Sequence, residues 1–176
     1  MRNPFTVIVL VMLTFSSRAR ADEPAKPSGS DAEAVAMLSQ FILPGADHAA
    51  LTKQLRPTSE DYAKVFTPDF AKTAEEGYAK AWDGGAMVIA PKEGQTELLM
   101  GSSATTDDIK DGTDAAKEFP NGWRNIADQL NRGITIHRFK FVKPGETSGM
   151  AFDGLMFVNG HWIIVPKPWR FATKMP

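Results

Sequence analysis

Apolar positions change their period twice along this chain of 176 residues, and each change marks a different kind of segment. The first segment is unbroken: Phe5 to Phe15 (FTVIVLVMLTF) is apolar or nearly so, follows Arg2 and precedes Ala19-Arg20-Ala21. A cationic start, an apolar run shorter than the ~20 residues a bilayer requires, and a small-x-small tripeptide form the pattern of a cleavable export signal. The expectation is a signal peptide over residues 1–21, cleavage after Ala21, and a periplasmic or secreted product. Asp22 to Ser30 (DEPAKPSGS) has the composition of a disordered tether, which leaves residues 31–176 for one folded domain.

The period then becomes helical. Val35, Leu38, Phe41 and Ile42 share a face, behind a cap at Ser30 or Asp31 and ahead of the stop Leu43-Pro44-Gly45. Asp47 caps a short helix to about Leu55, which Arg56-Pro57 ends. Thr58-Ser59-Glu60-Asp61 sets a hydroxyl cap before an acidic first turn. Thr67-Pro68-Asp69 starts a longer helix that buries Phe70, Ala74, Tyr78, Ala81 and Trp82 and stops at Gly84-Gly85.

The second half alternates. Ala86–Ala90 and Glu97–Ser103 read as strands, Ala104–Pro120 as a loop, and Trp123–Leu130 as a short helix. Three strands finish the chain: Ile134–Val142, Ser148–Val158 and His161–Pro166. Asn159-Gly160 marks a two-residue hairpin that pairs Val158 with His161, Phe157 with Trp162 and Leu155 with Ile164. A turn centred on Gly145 pairs Val142 with Ser148, which sets Phe139 against Ala151 and His137 against Asp153. The fold class expected is α+β: short N-terminal helices on a mostly antiparallel sheet ending in a three-stranded meander.

Composition narrows the functional classes. The chain has no cysteine, which excludes disulfides and a lipid-anchored cysteine. Residues 1–21 hold three arginines and no acid, so cleavage leaves 17 basic and 21 acidic residues. A mildly acidic product gives no electrostatic reason to expect nucleic acid. No membrane span is expected after signal cleavage. The histidines His48, His137 and His161 lack metal-ligand spacing, and no nucleophile elbow or phosphate-cradling glycine loop occurs. Neither a metal nor a cofactor is expected.

The last hairpin, Phe152-Asp153-Gly154-Leu155-Met156-Phe157-Val158-Asn159-Gly160-His161-Trp162-Ile163-Ile164-Val165, resembles the final strands of the nuclear transport factor 2-like superfamily, which includes the SnoaL-like proteins. That resemblance implies a cone-shaped α+β fold with a pocket between sheet and helices. Some members use the pocket for small-molecule isomerisation or hydrolysis, others for binding or dimerisation.

Three constellations carry candidate chemistry. His137 opposite Asp153, on an otherwise apolar face, would form an acid–base pair with Asp153 as general base, or a satisfied structural pair. Lys167, Trp169 and Arg170 interleave charge and aromatic surface, suited to an anionic ligand, or pack back as a terminal extension. Asp107–Glu118 matches a calcium loop in part, but Ile109 and Asp114 stand where a ligand and an apolar anchor belong, which favours a solvated acidic loop. The leading expectation is a binding or interaction module for an unknown small molecule or protein. The alternatives are a small-pocket enzyme using Asp153 and His137, and a homodimer formed through Met150, Phe152, Met156, Ile163 and Val165.

Overall fold

The computed structural model describes residues 28–172. The expected export signal with its cleavage site, residues 22–27 of the expected tether and the last four residues lie outside the described residues. The end of the tether is fastened: Ser28, Gly29 and Ser30 donate backbone N–H groups to the Glu33 carboxylate, and Ser30 accepts from Glu33 N. This capping box starts α1 (Asp31–Leu38), which runs into a 3-10 turn over Ser39–Ile42.

The other starts follow the same chemistry. Asp47 caps α2 (His48–Lys53), and Thr58 with Asp61 forms the capping box of α3 (Ser59–Val65). Pro68 opens α4 (Pro68–Asp83), and Gly85 at φ +68° follows its end. Thr67 occupies the cap position of α4 as expected, yet its hydroxyl donates to Gln129 Oε1 at 2.9 Å instead of capping the helix.

Four strands form one antiparallel sheet in chain order: β1 (Glu97–Thr105), β2 (Thr135–Val142), β3 (Gly149–Val158) and β4 (His161–Ile164). The α+β class is therefore the observed one. Two expectations are corrected here. Ala86–Ala90 forms no strand: Ala86 and Met87 bond back to the Ala81 carbonyl, and Ile89 N–H is taken by the buried Thr52 hydroxyl at 2.9 Å. The expected loop from Ala104 holds α5 (Thr106–Asp111) and α6 (Asp114–Lys117), followed by α7 (Asn121–Asn125). A capping box, Thr105 with Asp108, and a left-handed Gly112 frame α5.

The sheet is covered on both faces. Phe139, Phe141, Leu155, Trp162 and Ile164 pack with Ala34, Leu38 and Phe41 of α1 and its 3-10 turn. Ile136, Met156, Val158, Ile163 and Val165 pack with α3, α4 and α7 through Tyr62, Phe66, Phe70, Tyr78 and Trp123. Met156, Ile163 and Val165 are thus core residues, whereas Met150 and Phe152 lie on the other face. The apolar back face that would have dimerised is split between two layers.

The register explains that split. The Asn159-Gly160 hairpin is as expected, with both residues at positive φ and Val158, Phe157 and Leu155 opposite His161, Trp162 and Ile164. The other turn is one residue longer, so Val142 pairs with Gly149, Phe139 with Phe152, and Arg138 with Asp153. A bulge follows between His137 and Arg138, and His137 pairs with Leu155. The extra residue is Gly154, at φ +86°, whose carbonyl accepts from Val165 N at 2.9 Å. Without a bulge side chains alternate strictly; with one, Phe152 and Leu155 share a face and Asp153 is turned to the other.

Candidate functional site

The expected His137–Asp153 pair does not assemble. His137 lies in the α1 layer, with its ring edge-on to Trp162 at 5.4 Å and Nδ1 at 3.6 Å from Asp31 Oδ1. Asp153 lies in the opposite layer, where Trp123 Nε1–H donates to Oδ1 at 3.2 Å. The one-residue shift and the Gly154 bulge put the sheet between the two side chains. An acid–base mechanism that needs them adjacent has no geometry here.

Each is perturbed by burial, in opposite directions. Burial pulls the His137 pKa below its ordinary value, and Asp31 partly opposes this. Burial pushes Asp153 up, against the pull of Trp123, Arg138 and Lys167. For His137 the unfolded chain binds more protons, so its contribution to stability is lost as pH falls below about 6.5. For Asp153 the folded chain binds more protons, so stability is lost as pH rises from about 3.9 through the raised folded pKa. Asp153→Asn keeps an acceptor for Trp123 and removes the charge. Urea titrations between pH 4 and pH 7 should show the variant gaining stability relative to the wild type as pH rises. A difference that stays constant over that range would refute this assignment.

The C-terminal run does come near Asp153, but as packing. Lys167 takes a left-handed conformation (φ +57°) ahead of a 3-10 turn over Pro168–Arg170. Trp169 packs edge-on against Trp123 at 5.8 Å, and Phe171 against Tyr78 at 4.6 Å. Gly122 and Gly77 leave room for those two rings, since a Cβ at either would collide with them. The Tyr78 hydroxyl donates to the Pro166 carbonyl at 2.7 Å. Lys167 and Arg170 remain exposed. The aromatic half of the expected ligand set is thus engaged within the fold.

The acidic stretch is likewise committed to structure. Arg132 bridges Asp107 and Asp111 at 2.7 and 2.9 Å and holds both carboxyls below their ordinary range. Asp108 accepts from Thr105 and Thr113. Among the described residues no group of three or more His, Asp or Glu side chains is placed to hold a metal ion. No helix of the described residues is long and apolar enough to cross a membrane.

A different pair, unforeseen from the sequence, does assemble. Asp61, in the first turn of α3, is fully buried. Its Oδ2 accepts from Thr58 N at 2.8 Å, Thr58 Oγ1 at 3.0 Å and His161 Nε2 at 2.9 Å, and its Oδ1 accepts from Asn159 Nδ2 at 2.8 Å. The capping carboxylate of one helix thereby grips the β3–β4 turn, 100 residues downstream. With the carboxylate accepting at Nε2, the neutral imidazole carries its hydrogen there and its lone pair on Nδ1. The His161 side chain is 41% exposed, while the Asp61 side chain is 0% exposed. An oriented imidazole backed by a sealed carboxylate can accept a hydrogen bond or a proton from a molecule beside it.

There is space beside it. His161, Gly160 and Trp162 form one side of a cleft of about 210 Å³, and Met37, Gln40, Phe41, Leu51, Gln54 and Leu55 form the other. A larger concavity, about 470 Å³, lies between α2 and the segment after α4, lined by Lys53, Arg56, Trp82, Asp83, Met87 and Val88 among others. Its charges largely answer one another, with Arg56 and Asp83 paired at 2.8 Å. The smaller cleft has the stronger claim, because its polar group is held in one orientation from behind while the walls are mainly apolar. Comparisons with protein-family models, with curated proteins and with solved structures give no match.

Proposed function

We propose that the chain is an exported binding module that takes a small, largely apolar molecule into the cleft between the α1–α2 layer and the β3–β4 hairpin. The observation that carries this reading is His161, partly exposed at the cleft and fixed by a fully buried Asp61. Most of the wall is Phe41, Leu51, Leu55, Trp162 and Met37, so the driving force is burial of apolar surface, about 25 cal/mol per Å². An apolar cavity of roughly 150 Å³ accepts benzene, and drug-sized ligands need roughly 300 Å³ or more. A cleft of about 210 Å³ suits one substituted ring or a short branched chain. Export is supported by Arg2, the Phe5–Phe15 run and Ala19-Arg20-Ala21. A pocket beside the sheet also accords with what the nuclear transport factor 2-like resemblance implies.

Amide NMR of the chain titrated with toluene and with p-cresol tests the reading. Shifts are expected to concentrate at Leu51, Leu55, Gly160, His161 and Trp162, and to vanish in Leu51→Trp, which fills the cleft. Shifts centred on Trp82, Met87 and Val88, or none with either compound, would assign the binding elsewhere and end the proposal.

A further inference from the structure

The chemistry around His161 narrows the ligand further, and this step rests on the cleft reading above. We infer that the cleft selects a neutral molecule with an apolar ring and one hydroxyl, the phenol class, whose O–H donates to Nδ1 of His161.

The argument begins with Asp61. Its two oxygens are occupied by four donors, so it has no accessible edge for a ligand and acts only through the imidazole. Nε2 is spent on that carboxylate, and Nδ1 makes no hydrogen bond among the described residues. The ring nitrogen left for a ligand is therefore Nδ1, the acceptor of the imidazole tautomer that donates from Nε2.

Charge then excludes the alternatives. Apart from His161, the wall has no ionisable side chain; its other polar groups are the amides of Gln40 and Gln54 and the buried indole N–H of Trp162, which has no partner among the described residues. An ammonium ligand would lose its hydration shell with no carboxylate in reach, because Asp61 is sealed. An anionic ligand would sit one imidazole away from the Asp61 carboxylate, with no lysine or arginine lining the cleft to offset the repulsion. A neutral hydroxyl avoids both costs, and its ring fills the space between Phe41, Leu51, Leu55 and Trp162.

The test compares p-cresol with p-methylanisole, which has the same ring and no donor. In the wild type p-cresol should bind about tenfold more tightly, as one well-placed hydrogen bond allows. His161→Phe should bring the two affinities together. Thr58→Ala, which removes another donor from Asp61 without touching the cleft, should lower Tm yet leave the tenfold preference. Equal affinities in the wild type, or a preference that survives His161→Phe, would overturn the phenol inference while leaving the cleft reading in place. Absence of binding by both compounds would overturn both.

Discussion

Asp61→Ala should destabilise the protein by about 3–5 kcal/mol, the cost of removing one partner from a buried charged network. Losing the α3 cap alone would cost about 1 kcal/mol. The excess is expected because the same oxygens also hold Asn159 and His161, which belong to a hairpin from the far end of the chain. Alanine leaves the Thr58 N–H and the Asn159 amide without their acceptor in a site where the carboxylate was fully buried. Asn159→Gly, by contrast, keeps the positive φ of the exposed turn accessible, removes one donor and leaves the carboxylate three others, so it should cost about 1 kcal/mol. Urea unfolding of the two variants measures this directly. An Asp61→Ala cost no larger than that of an ordinary cap would mean that the carboxylate only starts a helix and does not tie the hairpin down.

Both halves of that network were visible in the sequence, each under a local meaning. Thr58-Ser59-Glu60-Asp61 reads as a helix start and Asn159-Gly160 as a hairpin, and both do occur. Their meeting is a property of how α3 lies against the sheet, which no local spacing encodes. The helical half was legible because its caps and breakers act within a few residues: Ser30, Asp47, Thr58 and Pro68 all sit at helix starts. α5 was missed although Thr105 and Asp108 have capping-box spacing and Gly112 stands at its end, because a helix of six residues offers too few apolar positions to show a period. Ala86–Ala90 failed in the opposite way: Ile89 is buried and Met87 packs partly against the core, but Val88 is exposed and Thr52 takes the N–H that a strand would need. The C-terminal aromatics followed ordinary packing, with Trp169 and Phe171 seated over glycines.

The His137–Asp153 pairing failed for a backbone reason that one further substitution exposes. Gly154→Ala should cost about 2–3 kcal/mol. The residue sits at φ +86°, where an L side chain is strained, and a Cβ there would run into the Val165 carbonyl oxygen. The cost has two escape routes, and each has a consequence. If the backbone gives way locally, the Gly154 carbonyl loses the Val165 N–H, and the end of β4 loosens. If instead the bulge is expelled, strict alternation returns, and Asp153 and Leu155 are forced onto one face. The second route would bring a carboxylate into the layer of Phe139, Phe141 and Trp162 while removing it from Trp123. Desolvating an unpaired carboxylate costs more than the strain it would relieve, so the bulge should persist and the first route prevail. Amide exchange on the variant separates the two: faster exchange at Val165 with Arg138 still opposite Asp153 is the expected result. Cross-strand contacts placing Phe139 opposite Asp153, on the face that holds His137, would show that glycine at this one position, and not the packing of the two layers, keeps the acid and the imidazole on opposite faces.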